Sequence, residues 1–370
     1  MKERIRNFCK AQPVLVISFL VALVTVFIVP PDKEYWGYCN KTVLIELFAL
    51  MLAVAGLRSV GIFDNMTNFL LKKAGTVRRL GQILILMCFF SAMLVTNDVA
   101  LLTFVPLTLL MYESIPDEKS RIMTIVLETV SANMGSMLTP VGNPQNLYLY
   151  NTYHLTAGAF LKTMLPCGIL SLICVLLLTC LLPSETCRPS ETESVAIDKK
   201  TATAYGLLFG FCLLTVFQKV PDWSCLVVAV VVALLFNRKL LLEVDYALLA
   251  TFLCFFVFVG NIARVEAVRQ FFSAILTGRE LLISALLSQI ISNVPAAVML
   301  SGFTENGTAL LLGVNVGGLG TLIASLASLI SYQIYRKSEG AKPMQYMLIF
   351  SVVGFGMLAL LLAFATFLKF

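Results

Sequence analysis

The chain has 370 residues, 59% hydrophobic and 13% charged, with a formal net charge of +6 and a mean hydropathy of +0.89. Soluble domains carry about 25% charged residues, so this composition excludes a water-filled surroundings and makes lipid the solvent; the small basic excess fits membrane-flanking loops rather than nucleic acid. The ten cysteines are scattered, mostly within apolar runs, with no CxxC or metal-type spacing, which fits packing thiols.

Apolar runs of about 20 residues, enough to cross a bilayer, recur along the chain. The basic start is followed by an apolar run over 13–29 that lacks a small-residue cleavage site and ends in Pro30-Pro31, so it reads as a retained first span. A second span is expected over 43–63. A hairpin over 81–111 is broken at Thr96-Asn97-Asp98. Span 3 starts near Met123 and is interrupted over 139–146, and span 4 covers 160–182. The polar stretch 183–200 is the one real linker. Spans 5, 6 and 7 cover 202–217, 223–236 and 246–262. A second hairpin over 281–303 is broken at Ser292-Asn293-Val294-Pro295. Span 8 begins near Ala309 and is glycine-rich through Gly320, and span 9 covers 346–367.

Short motifs recur in order in the two halves. Gly56 of Ala53-Val-Ala-Gly56 aligns with Gly260 (260 − 56 = 204), Asn97 with Asn293 (293 − 97 = 196), and Asn133-Met-Gly135 with Asn315-Val-Gly317 (315 − 133 = 182). Thr139 then falls on Thr321. The positive-inside tendency puts the N-terminus in the cytoplasm and the C-terminus outside. Each hairpin is taken to enter and leave on one side. The alternation then starts the first copy inside and the second outside, with span 5 as the odd helix that inverts it. Arg264, Arg269 and Arg279 fall outside and run against the tendency.

These readings predict an all-α polytopic membrane protein of two inverted-topology repeats, each with a re-entrant helical hairpin and a broken transmembrane helix. The first repeat is placed at 11–182, a linker and connecting span at 183–222, and the second repeat at 223–370.

The four breaks matter because unpaired backbone groups in hydrocarbon cost several kcal/mol each. They persist where they line a polar cavity, and in inverted-repeat carriers the exposed helix ends hold the anion and the coupling cation. The expected substrate contacts are Thr96, Asn97, Asp98, Ser292, Asn293 and Val294. The expected cation contacts are Asn97, Asp98, Thr139, Gly142, Asn143, Asn293, Gly320 and Thr321. Asn97 and Asn293 can also cap the arms that follow them. Asp98 is costly in a membrane segment and functional by default; cation coordination, proton exchange and capping all remain open to it. Glu128 is read as wetted near the cytoplasmic end, with a proton site as the alternative. Cys88 is read as packing, and Arg264 and Glu266 as interfacial. His154, the single histidine, is read as a solvated loop residue, and no Ser/His or paired-Asp arrangement suggests an enzyme.

At its breaks the chain resembles the ion transporter superfamily, which includes arsenite permeases, citrate and dicarboxylate carriers and some sodium/proton antiporters. Val95 to Pro106, Glu128 to Asn146, Ser292 to Pro295 and Gly313 to Thr321 carry the likeness, which spans roughly Val43 to Ala365. In the sodium-coupled dicarboxylate branch both tips read Ser-Asn-Thr. Here Asn97 and Asn293 match, while Asp98 and Val294 depart from the threonine. The resemblance implies substrate carboxylate and sodium held at the tips, elevator-like movement and frequent homodimers.

The function expected is a cation- or proton-coupled carrier of a small anion or oxyanion, carboxylate or arsenite-like. The alternatives are a sodium/proton antiporter using Asp98 and a non-transporting receptor or scaffold. No cofactor is expected beyond sodium as coupling ion. The expected partners are the bilayer, a small anion, sodium or the proton, and a second copy in a homodimer. The location expected is a bacterial inner membrane.

Overall fold

A computed structural model describes residues 12–61, 75–113, 115, 117–186 and 198–368. The first half comprises α1 (Pro13–Ile28), α2 (Lys41–Ser59), α3 (Val77–Val95), α4 (Asn97–Tyr112), α5 (Glu118–Ser136), α6 (Pro144–Thr152) and α7 (Ala157–Leu178). Next come α8 (Lys199–Val216), α9 (Asp222–Phe236) and α10 (Tyr246–Ala263). The chain continues with α11 (Glu266–Leu276), α12 (Glu280–Ile291), α13 (Asn293–Ser301), α14 (Gly307–Val316), α15 (Leu326–Arg336) and α16 (Pro343–Phe367). No named strand occurs among the described residues; one isolated bridge joins Thr76 and Thr186.

The helix starts follow from local chemistry. Asn40, Thr76, Asn143, Thr156, Asp245 and Asn306 each accept a backbone N–H from the first turn of α2, α3, α6, α7, α10 and α14, as short polar N-caps do. Pro144 then sits in the first turn of α6, where its missing N–H costs nothing.

Among the described residues, five helices are long and apolar enough to cross a membrane: Lys41–Ser59, Val77–Val95, Ala157–Leu181, Tyr246–Ala263 and Pro343–Phe367. Several others are too short. α6 and α13 have nine residues each, or about 14 Å at 1.5 Å per residue, roughly half of the hydrocarbon core. They are half-spans that start or stop in the middle of the protein.

The packing of one half recurs in the other. α3 lies on α5 as α12 lies on α14, α4 lies on α15 as α13 lies on α6, and α2 lies on α9 as α10 lies on α1. Bonds between loops define two ends of the molecule. At one end Arg264 pairs with Asp32 at 2.7 Å and Glu34 at 3.3 Å, and Thr42 donates to Asp222 at 2.8 Å. At the other, Arg121 donates to the Glu339 carbonyl at 3.0 Å and Arg78 to that of Leu182 at 3.0 Å. Arg264, which runs against the charge tendency, is thus neutralised by acids of the loop it meets. Its hydrogen bond holds the Asp32 carboxyl below the ordinary carboxylate range.

Three sequence expectations need correction. The breaks lie slightly off their expected bounds: α5 ends at Ser136 and α14 at Val316, and the second break runs on to Ser325, where α15 starts as a separate helix. α11 was not expected; it meets α12 at 111° and carries apolar residues on one side, the pattern of an interfacial helix. Glu128 is not wetted but fully buried, because α3, α4, α15 and α16 all pack onto α5.

Candidate functional site

The two hairpin tips share one backbone conformation. Thr96 has φ 73° and ψ 153°, and Ser292 has φ 75° and ψ 154°. That region is almost confined to glycine and costs about 1–3 kcal/mol for other residues, most of all for β-branched Thr96. Such strain survives where the surroundings over-determine it. Here they do: the Asn97 N–H donates to the Gly142 carbonyl at 3.2 Å, and the Asn293 N–H to the Ala324 carbonyl at 2.9 Å. Since 324 − 142 = 182 and 293 − 97 = 196, both bonds join aligned positions.

The clamp is repeated one layer out. The Thr139 hydroxyl donates to the Met93 carbonyl, and the Thr321 hydroxyl donates to the Gln289 carbonyl at 3.0 Å. These threonines lock each broken helix to the first arm of its own hairpin. Their protons are spent on the fold, and Thr321 Oγ1 also accepts from the Ala324 N–H at 3.2 Å. Gly135 and Gly317 let the helices close: a Cβ on Gly135 would sit 2.1 Å from the Phe89 carbonyl oxygen, and one on Gly317 2.7 Å from Ala285 Cα. Gly320, at φ 98°, turns the second break against Gln289.

Side-chain amides join the halves at the centre. Asn143 Nδ2 donates to Asn315 Oδ1 at 3.1 Å, and Asn315 Nδ2 donates to Asn146 Oδ1 at 2.6 Å. Ser325 Oγ donates to Asn133 Oδ1 at 2.8 Å, and Asn133 Nδ2 donates to Ser328 Oγ at 3.1 Å. Asn97 Nδ2 also donates to Asn133 Oδ1, at 3.0 Å. The N-termini of α4, α6, α13 and α15 meet around this network. Each such end offers backbone N–H groups and the positive pole of a helix, the features that favour an anion.

A cavity of about 740 Å³ reaches this centre, lined among others by Arg58, Thr96, Asp98, Val141, Asn143 and Asp245. Among the described residues of the lining, Arg58 is the one basic residue. A second cavity of about 550 Å³ lies at the opposite ends of α2 and α6, lined among others by Asn40, Glu46, Asn151, His154, Lys219 and Asp222. In the wall of this second cavity, Asn151 Nδ2 donates to Glu46 at 2.8 Å, and Glu46 is buried.

The expected residues therefore divide. Thr96, Asp98 and Asn143 line the larger cavity. Asn97, Gly142, Thr139, Gly320 and Thr321 hold the breaks in place. Ser292, Asn293 and Val294 are buried and line neither cavity, so the second tip meets the first through the Asn133–Asn315 network rather than across open space. His154 is exposed in the turn after α6, as expected, and also lines the second cavity. Asn146 lay within the expected break without a role of its own, and Ser325, Ser328, Asp245 and Glu46 were not expected at the site. Sequence reasoning used Asn133 and Asn315 as repeat markers without placing them in the site. Glu46 had a signal, a carboxylate inside an apolar run, the same one that exposed Asp98.

Helical half-spans meeting at a polar centre inside an apolar shell define a multi-pass membrane transporter. The chain belongs to the citrate transporter family, whose model matches residues 7–306. It is 35% identical over 325 residues to an uncharacterised transporter of Methanocaldococcus jannaschii, covering 86% of this chain and 87% of that one. It is 31% identical over 329 residues to the Escherichia coli inner membrane protein YbiR, covering 86% of each. A shorter match, 29% over 193 residues, covers 49% of this chain and 39% of the rice silicon efflux transporter LSI3. Among solved structures, the Alcanivorax borkumensis YdaH transporter superposes with a TM-score of 0.57 at 15% identity, covering 90% of this chain and 86% of that one. The last likeness concerns the fold. The family is one of transporters, not enzymes, and the Methanocaldococcus jannaschii and rice relatives carry that name as well.

Proposed function

We propose that this transporter is a secondary carrier, coupled to sodium or protons, that moves a small anion or oxyanion by alternating access. The observation that carries this reading is the convergence of four helix N-termini and one intramembrane carboxylate, Asp98, on a single polar centre open to a cavity. A bare anion site beside a carboxylate repels its ligand unless a cation or proton intervenes, so the arrangement favours coupled binding. The family's citrate and the silicon of the rice relative bracket a class of small, oxygen-rich solutes. The halves would be inverted repeats in a bacterial inner membrane, with the larger cavity facing the cytoplasm. The hairpin-bearing helices would move elevator-fashion, in a homodimer.

A second reading, sodium/proton antiport without an anion, is favoured by Asp98 and Asp245 sharing one cavity wall. Thermal stability of the purified protein against citrate, arsenite and silicic acid, each with and without sodium, separates the two. Stabilisation by one solute that grows with sodium or with acid supports the carrier. A response to sodium alone supports antiport.

A further inference from the structure

Glu128 lies on α5, outside the centre just described, and is 0% exposed. Thr108 Oγ1 on α4 donates to its Oε1 at 2.5 Å. Among the described residues its Oε2 has no hydrogen-bond partner, and neither has the Ser131 hydroxyl one turn further along α5. No ion pair involves Glu128 among the described residues.

The charges on the packed helices do not compensate it. On α3, Arg78 is spent on the Cys180 and Leu182 carbonyls and Arg79 is exposed. On α4, Asp98 is at the far end. Lys162 of α7 and Arg336 of α15 are exposed, and α14 and α16 carry no charge. The titratable neighbours are acids or neutral groups: Cys88, whose Sγ lies 3.5 Å from the Glu128 carbonyl, Tyr112 on α4 and Tyr346 on α16, with Cys167 on α7 and Tyr332 and Tyr335 on α15. An ionised carboxylate with no cation is the costly state in such a place, whereas the neutral acid needs only the hydrogen bond it has. A sodium ion would find Thr108 as its one side-chain oxygen bonded beside the carboxyl, too few to replace a hydration shell.

The surroundings provide a track. Tyr112 and Thr124, each one turn from Thr108 and Glu128 toward the C-terminus of α4 and the N-terminus of α5, form a second rung with oxygens 2.7 Å apart. In the other direction Asn133, which bonds the first tip, is five residues away, about 7.5 Å along the helix. The aligned position in the second half is Leu310 (128 + 182 = 310). Glu128 is therefore asymmetric in the same sense as Asp98 against Val294.

We propose that Glu128 is a proton-binding site of the transport cycle, loaded from the side of the α4 C-terminus and the α5 N-terminus across the Tyr112–Thr124 rung and held as a neutral acid in this conformation. The proposal deepens the carrier reading and rests on it. Release breaks the O–H bond at Glu128 and passes the proton to water when the α4–α5 seam opens; no electron changes hands.

Infrared spectroscopy of the purified full-length protein in H₂O and D₂O tests it. The expected result at pH 7 is a carboxylic-acid C=O band that is lost in Glu128→Gln, kept in Asp98→Asn, raised in frequency in Thr108→Val, and shifted by D₂O. Should Glu128→Gln fail to fold, the Thr108→Val shift carries the assignment. Absence of any such band overturns the proposal, as does a band that never exchanges in D₂O or one that vanishes on adding sodium chloride. The band is read without substrate. Failed uptake with the band intact therefore overturns the carrier reading, and with it the proton's place in a transport cycle.

Discussion

Asn133 and Asn315 each bond the broken segment of the half to which they do not belong, and they do so in the same way. Asn133 Oδ1 accepts from Ser325 and its Nδ2 donates to Ser328. Asn315 Oδ1 accepts from Asn143 and its Nδ2 donates to Asn146. Since 325 − 143 = 182 and 328 − 146 = 182, the partners are aligned positions, at the offset that also relates Asn133 to Asn315. The crossed amides tie the two breaks into one unit, so neither tip can shift without straining the other.

Removing either amide should therefore act on both halves. Asn315→Ala removes the partner of Asn146 Oδ1 and one of the two acceptors of Asn143 Nδ2, which keeps Ser136 Oγ at 3.2 Å; both residues are buried, and the cost is about 1–3 kcal/mol. Asn133→Ala should cost a similar amount. Unfolding temperatures in detergent check this. A double variant whose loss is smaller than the sum of the single losses shows the coupling; strict additivity would count against a shared network.

Strain at the tips makes a prediction of opposite sign. Ser292→Gly removes the penalty of the positive-φ backbone and should stabilise the fold by up to about 1–3 kcal/mol, unless tip freedom offsets the gain. The same freedom should lower transport several-fold. Thr96→Gly should behave alike. Loss of stability in both variants would mean that the serine and threonine side chains, rather than the backbone shape, matter most at the tips.

Close approach can be tested with a paired control. Gly135→Ala places a methyl 2.1 Å from the Phe89 carbonyl oxygen, whereas a Cβ on Gly206 meets nothing within 4 Å. Gly135→Ala should force α3 from α5 and sharply reduce folded yield. Gly206→Ala should leave yield unchanged or gain up to about 1 kcal/mol from helix propensity. Size-exclusion profiles of the two variants read the difference.

Asp98 should control coupling more than folding, because it lines the cavity and its carboxylate makes no hydrogen bond among the described residues, its backbone N–H donating to Asn97 Oδ1 at 3.0 Å. Asp98→Asn should keep its folded yield while uptake loses its dependence on a sodium or proton gradient. Gradient-driven and gradient-free uptake in proteoliposomes, compared with wild type, decide it.

Much of this was legible in the residues. Both breaks in each half, the order of the repeat motifs and the tip asparagines follow from Gly, Pro and Asn interrupting apolar runs. The spans fall within a few residues of their expected bounds, since length and hydropathy set them. What escaped reading was whatever depends on the partner across the centre. Nothing local marks Ser325 or Ser328 as partners of Asn133, because they lie 192 and 195 residues away. Burial of Glu128 was missed for the same reason: its run looks moderately polar, and only the packing of four other helices dries it. α11 was missed because its 11 residues are too few to register as a span.

The central claim is that the two tip asparagines hold the transport site. Uptake into proteoliposomes of citrate, arsenite and silicic acid, using whichever of these the wild type accumulates, tests it most directly in Asn97→Ala and Asn293→Ala. The account predicts at least a ten-fold loss in each variant, with normal membrane insertion and folded yield. Uptake at the wild-type rate in both would contradict it.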